Sequence, residues 1–197
     1  VGLYPGSKQD NVFWSNSTPK NADVSAINYA VAHALPVYFF TQSELQFLIA
    51  EAQLRFNNND AAAKAAYEAG VAADFASRGM AADAAAFLAA DGAWAGAADK
   101  LNLIYMQKWV ALFMRDHMEA WSEQRRTDVP KVSAKTAAQV KADPTIYVPG
   151  ELLIPVRNQK GNGGLCLSIP YSSDSRKYNT NTPAARSITD RVFWDVK

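Results

Sequence analysis

The 197-residue sequence has one cysteine, two histidines, and 20 basic side chains against 19 acidic ones, and each scarcity removes a class of function. A lone Cys166 has no intrachain partner, so the chain is not a small disulfide scaffold and must be held by packing. Near-zero net charge supplies no broad basic field of the kind that phosphate backbones select, which argues against non-specific nucleic-acid binding. No window approaches the roughly 20 apolar residues of a membrane-spanning helix. The sequence begins at Val1 without an initiator Met or a signal-peptide pattern, and so reads as starting at a fragment boundary. What is present is 49% hydrophobic residues in a length suited to one domain or part of a larger one. A chain of that size buries about 70% of its unfolded surface, enough for a core without staples.

Residues for chemistry are equally sparse. His33 and His117 are the only histidines available as a general base, and neither stands in a metal-ligand spacing such as H-E-x-x-H. Both are expected to be structural or surface side chains, and no metal or cofactor is indicated. There is no G-x-S-x-G elbow, and Cys166, flanked by apolar residues in GGLCLSIP, is expected to be a buried small hydrophobe. Glu119 and Glu123, four apart on one helical face, have the residue types for acid and base work on a glycoside, but Arg115, Arg125 and Arg126 beside them favour ion pairing. Gly161, Gly163 and Gly164 do not form a phosphate loop. The oxygen-rich stretch DSRKYNTN at 174–181 lacks the order of a calcium loop. No catalytic set emerges, and the chain is expected not to be an enzyme.

Hydrophobic periodicity divides the chain into a loop-rich lead-in at 1–35, helix pairs at 36–130 and a loop-rich segment at 131–197. In TQSELQFLIAEAQLRF, Thr41 and Glu44 have the spacing of a capping box, and Leu45, Leu48, Ile49, Ala52 and Phe56 form an apolar stripe. After NNN, Asp60 is a candidate N-cap for a second helix running to Gly79, a C′ glycine. There Ala62, Ala65, Ala66, Ala69, Ala73 and Ala76 allow close approach, while Tyr67, Val71 and Phe75 supply bulk. A shorter helix is expected from Asp83 to Ala90. A strong one follows Asp99, with Leu101, Ile104, Tyr105, Lys108 and Leu112 about its apolar face, and MEAWSEQRRT makes another that stops at Val129 and Pro130. The first pair has the length of a tetratricopeptide unit, about 34 residues, whose apolar face is buried only by stacking on a neighbour. The predicted fold is mostly α: tetratricopeptide-like helix pairs, long packed loops and few short strands, with short apolar runs at ELLIPV and RVFWDV.

Aromatics carry what binding signal there is. A sugar ring has an apolar face that stacks on an indole or phenol while neighbouring polar groups bond its hydroxyls. Trp14, followed by Ser15 and Asn16, is such a setting, and Tyr4 lies in the same lead-in. Tyr4, Trp14 and Asn16 are therefore the candidate ligand contacts, against the alternative that loop aromatics anchor the loop to the helices. Trp109, Trp121 and Trp194 fall in periodic or apolar segments and are expected in the core.

Six strings stand in a telling order: SELQFLIAEAQLRF, AAYEAGVAADFASRG, LNLIYMQKWVALFMRDHMEAWSEQRRTDVP, LLIPVR, IPYSSDSRKYNTNTPAA and RVFWD. Through them the chain resembles, from about Leu35 to Asp195, the SusD/RagB family of outer-membrane nutrient-binding lipoproteins, in particular its second SusD-like subgroup. Where that family reads R-x-x-Y-P-x-S-E, this chain is stretched by NQKGNGGLCLS, has Ser172 after Tyr171, and has Asp174 in place of Glu. The resemblance implies the C-terminal portion of a longer protein, whose preceding part would hold the lipid-anchoring cysteine, further tetratricopeptide helices and much of the ligand site. It implies a protein anchored on the outer face of the outer membrane of a Bacteroidetes-type bacterium. There it would be a lid on a SusC-type TonB-dependent transporter, capturing glycans, or peptides in RagB-like members, without bond cleavage or cofactor. Gln107, Lys108, Trp109, Glu119, Trp121, Arg125 and Arg126 would be scaffold, knitting two helices together, with Arg126 bonding loop carbonyls. The rival from another class is a tetratricopeptide adaptor that binds only protein.

Overall fold

The structure, a computed structural model, describes residues 29–154 and 166–195. The described residues are mostly helical with two short strands, the fold class expected. Two compact units are present, Ile27–Pro130 and one that holds the chain from Lys131 onward.

In the first unit, local signals set the helix ends. After the short α1 (Tyr29–Ala34), α2 (Gln42–Arg55) starts where extended Thr41 accepts the Glu44 amide on its hydroxyl at 3.1 Å. Only this half of the expected capping box forms, because the Glu44 carboxylate turns to Lys108 instead. Asn58 enters the left-handed region (φ 48°), and Asn59, not Asp60, caps α3 (Asp60–Ser77), accepting the Ala62 amide at 3.1 Å. Asp60 is the first helical residue, its carboxylate occupied by Lys100 and the Trp94 indole. Gly79 (φ 75°) ends α3 as expected, with the Met80 amide reaching back to the Phe75 carbonyl at 2.8 Å. The short α4 (Ala84–Ala89) follows. Asp99 and Asp116 then cap α5 (Lys100–Ala111) and α6 (His117–Thr127), each accepting an amide three residues on at 2.9 Å.

The apolar core lies among α2, α3 and α5, around Phe47, Tyr67, Trp94 and Ile104. The Tyr67 ring sits 6.1 Å from Phe47 and 5.4 Å from Trp94, and its buried hydroxyl donates to the Gly92 carbonyl at 3.0 Å. α3 meets α2 through Ala63, Ala66 and Gly70, one step round from the expected row in which Ala65, Ala69 and Ala76 prove exposed. Tyr67 and Val71 set this rotation by turning inward beside Phe47.

The larger correction concerns α2. Leu45, Leu48, Ile49 and Phe56 face outward, Phe56 with 77% of its surface exposed. The packed face is Ser43, Glu44, Phe47, Ala50 and Glu51. α2 is apolar on two sides, and the side bearing carboxylates turns in because α5 and α6 present cations to it. The tryptophans also depart from expectation. Trp94 is the buried indole, Trp109 and Trp121 are half-buried, and Trp194 is exposed, as is Cys166. Apolar neighbours in sequence bury a side chain only where an element packs over them, and the 166–170 and 191–195 stretches are irregular.

In the second unit, part of the expected loop is a parallel β-α-β crossover. β1 (Val132–Thr136) pairs in parallel with β2 (Leu152–Ile154), with Val132 opposite Leu152 and an irregular register beyond. Between them α7 (Ala137–Ala142) opens on a complete capping box: Thr136 accepts the Gln139 amide at 3.2 Å and its own amide donates to the Gln139 side chain at 2.9 Å. Val140 and Leu153 form a small sealed core with Ile146 and Tyr147. The stretch read as oxygen-rich loop begins as α8 (Ser173–Tyr178), which fans its side chains outward.

A Cβ at Gly70 would lie 2.8 Å from the Phe47 ring, which has no room to yield. Gly70→Ala is therefore expected to lower unfolding free energy by about 1 kcal/mol, overpacking outweighing the helix-propensity gain. Phe47→Ala should cost about 3–5 kcal/mol. Urea unfolding checks both, and a stabilised Gly70→Ala would show that the α2–α3 contact is looser than described.

Candidate functional site

Three helices contribute to one ionic cluster, buried at Glu44, Glu51, Lys108 and Glu123 and half-open at Glu119 and Arg126. α2 supplies Glu44 and Glu51 two turns apart, α5 supplies Tyr105 and Lys108, and α6 supplies Glu119, Glu123 and Arg126 on one face. Glu51 is the hub. It accepts from Arg55 (2.8 Å), the Tyr105 hydroxyl (2.9 Å) and both terminal nitrogens of Arg126 (2.7 Å each). Arg126 also holds both Glu123 oxygens at 2.8 Å, and its guanidinium lies 5.3 Å from the Tyr105 ring centroid. The buried Lys108 ammonium stands 3.3 Å from Glu123, 3.6 Å from Glu119 and 3.9 Å from Glu44.

Electrostatics follow from this geometry. Burial alone would raise the Glu51 pKa, but the bonds from Arg126 and Arg55 overcome it and hold it at about 2. Glu123 is also buried yet lies below the ordinary glutamate value, because of Arg126 and Lys108. Glu44 goes the other way: burial raises it, and Lys108 offsets only part of that. Burial and the adjacent Glu51 charge push the Tyr105 phenol up to about 12. Glu119 and Glu123 both turn to Lys108, so the arrangement suits ion pairing rather than proton donation to a substrate.

Of the sequence-derived scaffold set, Lys108, Glu119 and Arg126 meet in this cluster. Gln107 is half-buried on α5. Trp121 carries the Arg125 guanidinium 3.5 Å above its ring. Trp109 lies in a separate cleft. Arg126 bonds carboxylates where loop carbonyls were expected, and the Val129–Pro130 turn is tied instead by Gln124, which donates to the Pro130 carbonyl at 3.2 Å, and by Thr127, whose hydroxyl accepts the Val129 amide at 3.1 Å. Glu51 was not singled out from the sequence, Glu44 was read only as half of a capping box, and Tyr105 only as part of an apolar face. The signal for the two carboxylates was their seven-residue spacing inside an otherwise apolar string. Tyr4, Trp14, Asn16 and the 161–164 glycines lie outside the described residues. His33 and His117 are exposed, and among the described residues no group of three or more His, Cys, Asp or Glu is arranged to hold a metal.

The second feature is an apolar cleft of about 320 Å³ where the C-terminal ends of α3 and α5 meet, walled by Phe75, Met80, Trp109, Val110 and Phe113. Its polar edge is already engaged. Arg78 donates to both oxygens of Asp74 (2.9 and 3.0 Å) and to the Val110 and Ala111 carbonyls at the end of α5 (3.2 Å each). Nearby, Arg115 stacks 4.4 Å from the Tyr38 ring centroid and donates to Ser77 at 2.7 Å. The cleft can receive an apolar group or the flat face of a ring, and its walls offer no nucleophile.

The pH dependence of the cluster has a definite sign. Glu51 and Glu123, held below 4.5, contribute stability that is present above that value and lost as pH falls through their folded values, toward about 2 for Glu51. Glu44, held above 4.5, opposes them. Glu51→Gln is expected to remove on the order of 3 kcal/mol at neutral pH and to flatten the decline in stability between pH 4.5 and 2. Urea unfolding across that range checks it, an unchanged slope contradicting the hub assignment.

Comparison with known proteins adds the remaining fact. No curated protein matches the chain. Residues 1–148 match the family SusD-like_2, described as starch-binding associating with outer membrane, a span that includes the lead-in and every helix from α1 to α7. With the helix-pair architecture and most of its length in that match, the chain belongs to the SusD-like family of outer-membrane-associated, starch-binding proteins.

Proposed function

We propose that the protein is a non-catalytic, cell-surface subunit that captures an oligo- or polysaccharide and delivers it to a SusC-type TonB-dependent transporter. It would do so lipid-anchored on the outer face of the outer membrane, with tetratricopeptide-type helices as scaffold. The family match over residues 1–148 carries this reading. The ionic cluster is compatible with it: Glu51, Glu123, Lys108 and Arg126 are spent on one another in the helix interior, as suits a rigid support rather than a reacting centre. Tyr4, Trp14 and Asn16 are the proposed sugar contacts on residue type alone: two aromatic rings able to stack on a sugar face and an amide able to bond its hydroxyls.

A protein-binding role has its own support in the outward Leu45, Leu48, Ile49 and Phe56 stripe and the Trp109 cleft, apolar surfaces that a monomer seldom leaves open. The cargo of a RagB-like lid would be peptide.

Native affinity electrophoresis through a panel of polysaccharides, with peptide mixtures tested by calorimetry, separates these readings. The expected result is retardation by one polysaccharide without release of reducing ends. Trp14→Ala should weaken retardation at least about fivefold with the circular dichroism spectrum unchanged, since one lost ring stack is worth about 1 kcal/mol. Heat on peptides without retardation points to the peptide-binding lid, and silence in both assays to the adaptor.

A further inference from the structure

α6 is attached differently from its neighbours. The apolar cluster of α2, α3 and α5 includes no α6 residue. The buried residues of α6 are Glu123, Gln124 and Arg125, all polar, and Met118 is exposed. Among the described contacts, ion pairs tie it to α2 and α5, Arg126 to Glu51 and Lys108 to Glu119 and Glu123, beside the Arg126–Tyr105 ring contact. The charged and titratable groups facing the contact are Glu44, Glu51 and Arg55 from α2, Tyr105 and Lys108 from α5, and Asp116, Glu119, Glu123 and Arg126 from α6 and its cap.

We propose that α6 is an ionic strap, docked by charge and released as a unit, ahead of the apolar core, when its carboxylates take up protons. The cations explain why release is concerted. Arg55, Lys108 and Arg126 converge on shared carboxylates, with Arg55 and Arg126 both bonding the same Glu51 oxygen. Neutralising Glu51 and Glu123 removes the shared negative charge and leaves buried Lys108 with Arg55 and Arg126 at the more open edge of the cluster, three cations that then repel one another uncompensated. Protonation of Glu44 comes first and has the opposite effect, relieving the crowding of carboxylates around Lys108. Glu51 and Glu123 therefore set the transition. α6 is also the element through which the 27–130 unit continues toward Lys131.

Hydrogen–deuterium exchange read by mass spectrometry on the full chain tests the strap. As pH falls from 7 to 2, amides of 117–127 should lose at least about tenfold protection, after correction for intrinsic exchange, while those of 60–77 keep theirs. Glu51→Gln at neutral pH should reproduce the same segment-selective loss. Protection lost together in both segments, or in neither, overturns the proposal. Should Glu51→Gln fail to fold, the titration of the unaltered chain decides alone: two separated transitions support the strap and a single one refutes it.

Discussion

The bidentate bond between Arg126 and Glu51 is the contact that decides how α2 and α6 face one another. It joins residues 75 positions apart, with both guanidinium ends at 2.7 Å, and so brings the last helix of the unit onto the first long one. A carboxylate at that depth, with its partner removed, would be an uncompensated buried charge, a state that costs several kcal/mol. Four hydrogen bonds on the one carboxylate group avoid it. Arg126 and Tyr105 consequently have little freedom of placement, and the α5–α6 turn closes on the Asp116 cap.

This arrangement explains the facing of α2. By apolar count, the Leu45, Leu48 and Ile49 side has the stronger claim to the core, yet it faces out. Glu44 and Glu51 share the other side with Phe47 and Ala50, and that side has both an apolar cleft to fill, against Gly70 and Tyr67, and cations to meet. The helix is apolar on two faces, inward for this unit's own core and outward as an open surface.

The family is one of starch-binding proteins, and the placement of charge in the helical unit suits support rather than reaction. Glu51 and Glu123 are held below their ordinary range by cations, and Glu44 is buried against Lys108. Arg78 caps the α5 carbonyls and leaves the Trp109 cleft apolar.

Helix existence was legible in the sequence because it depends on neighbours. Thr41, Gly79 and Asp99 act on amides or carbonyls a few residues away, whereas the Asp116 cap was not read from the sequence. The stop at Pro130 was equally local. Facing was not legible. Whether Leu48 or Glu51 turns inward, whether Asp60 caps a helix or binds Lys100, and whether Arg126 meets a carbonyl or a carboxylate all depend on groups 40 to 75 residues distant. The β1-α7-β2 crossover escaped notice for a similar reason, since VSAKT is too polar to declare a strand until Leu152 lies beside it. Local hydrogen bonds and periodicity thus determined where the helices of this protein begin and end, whereas only tertiary structure, by having to pair every buried charge, decided which side of each became the core.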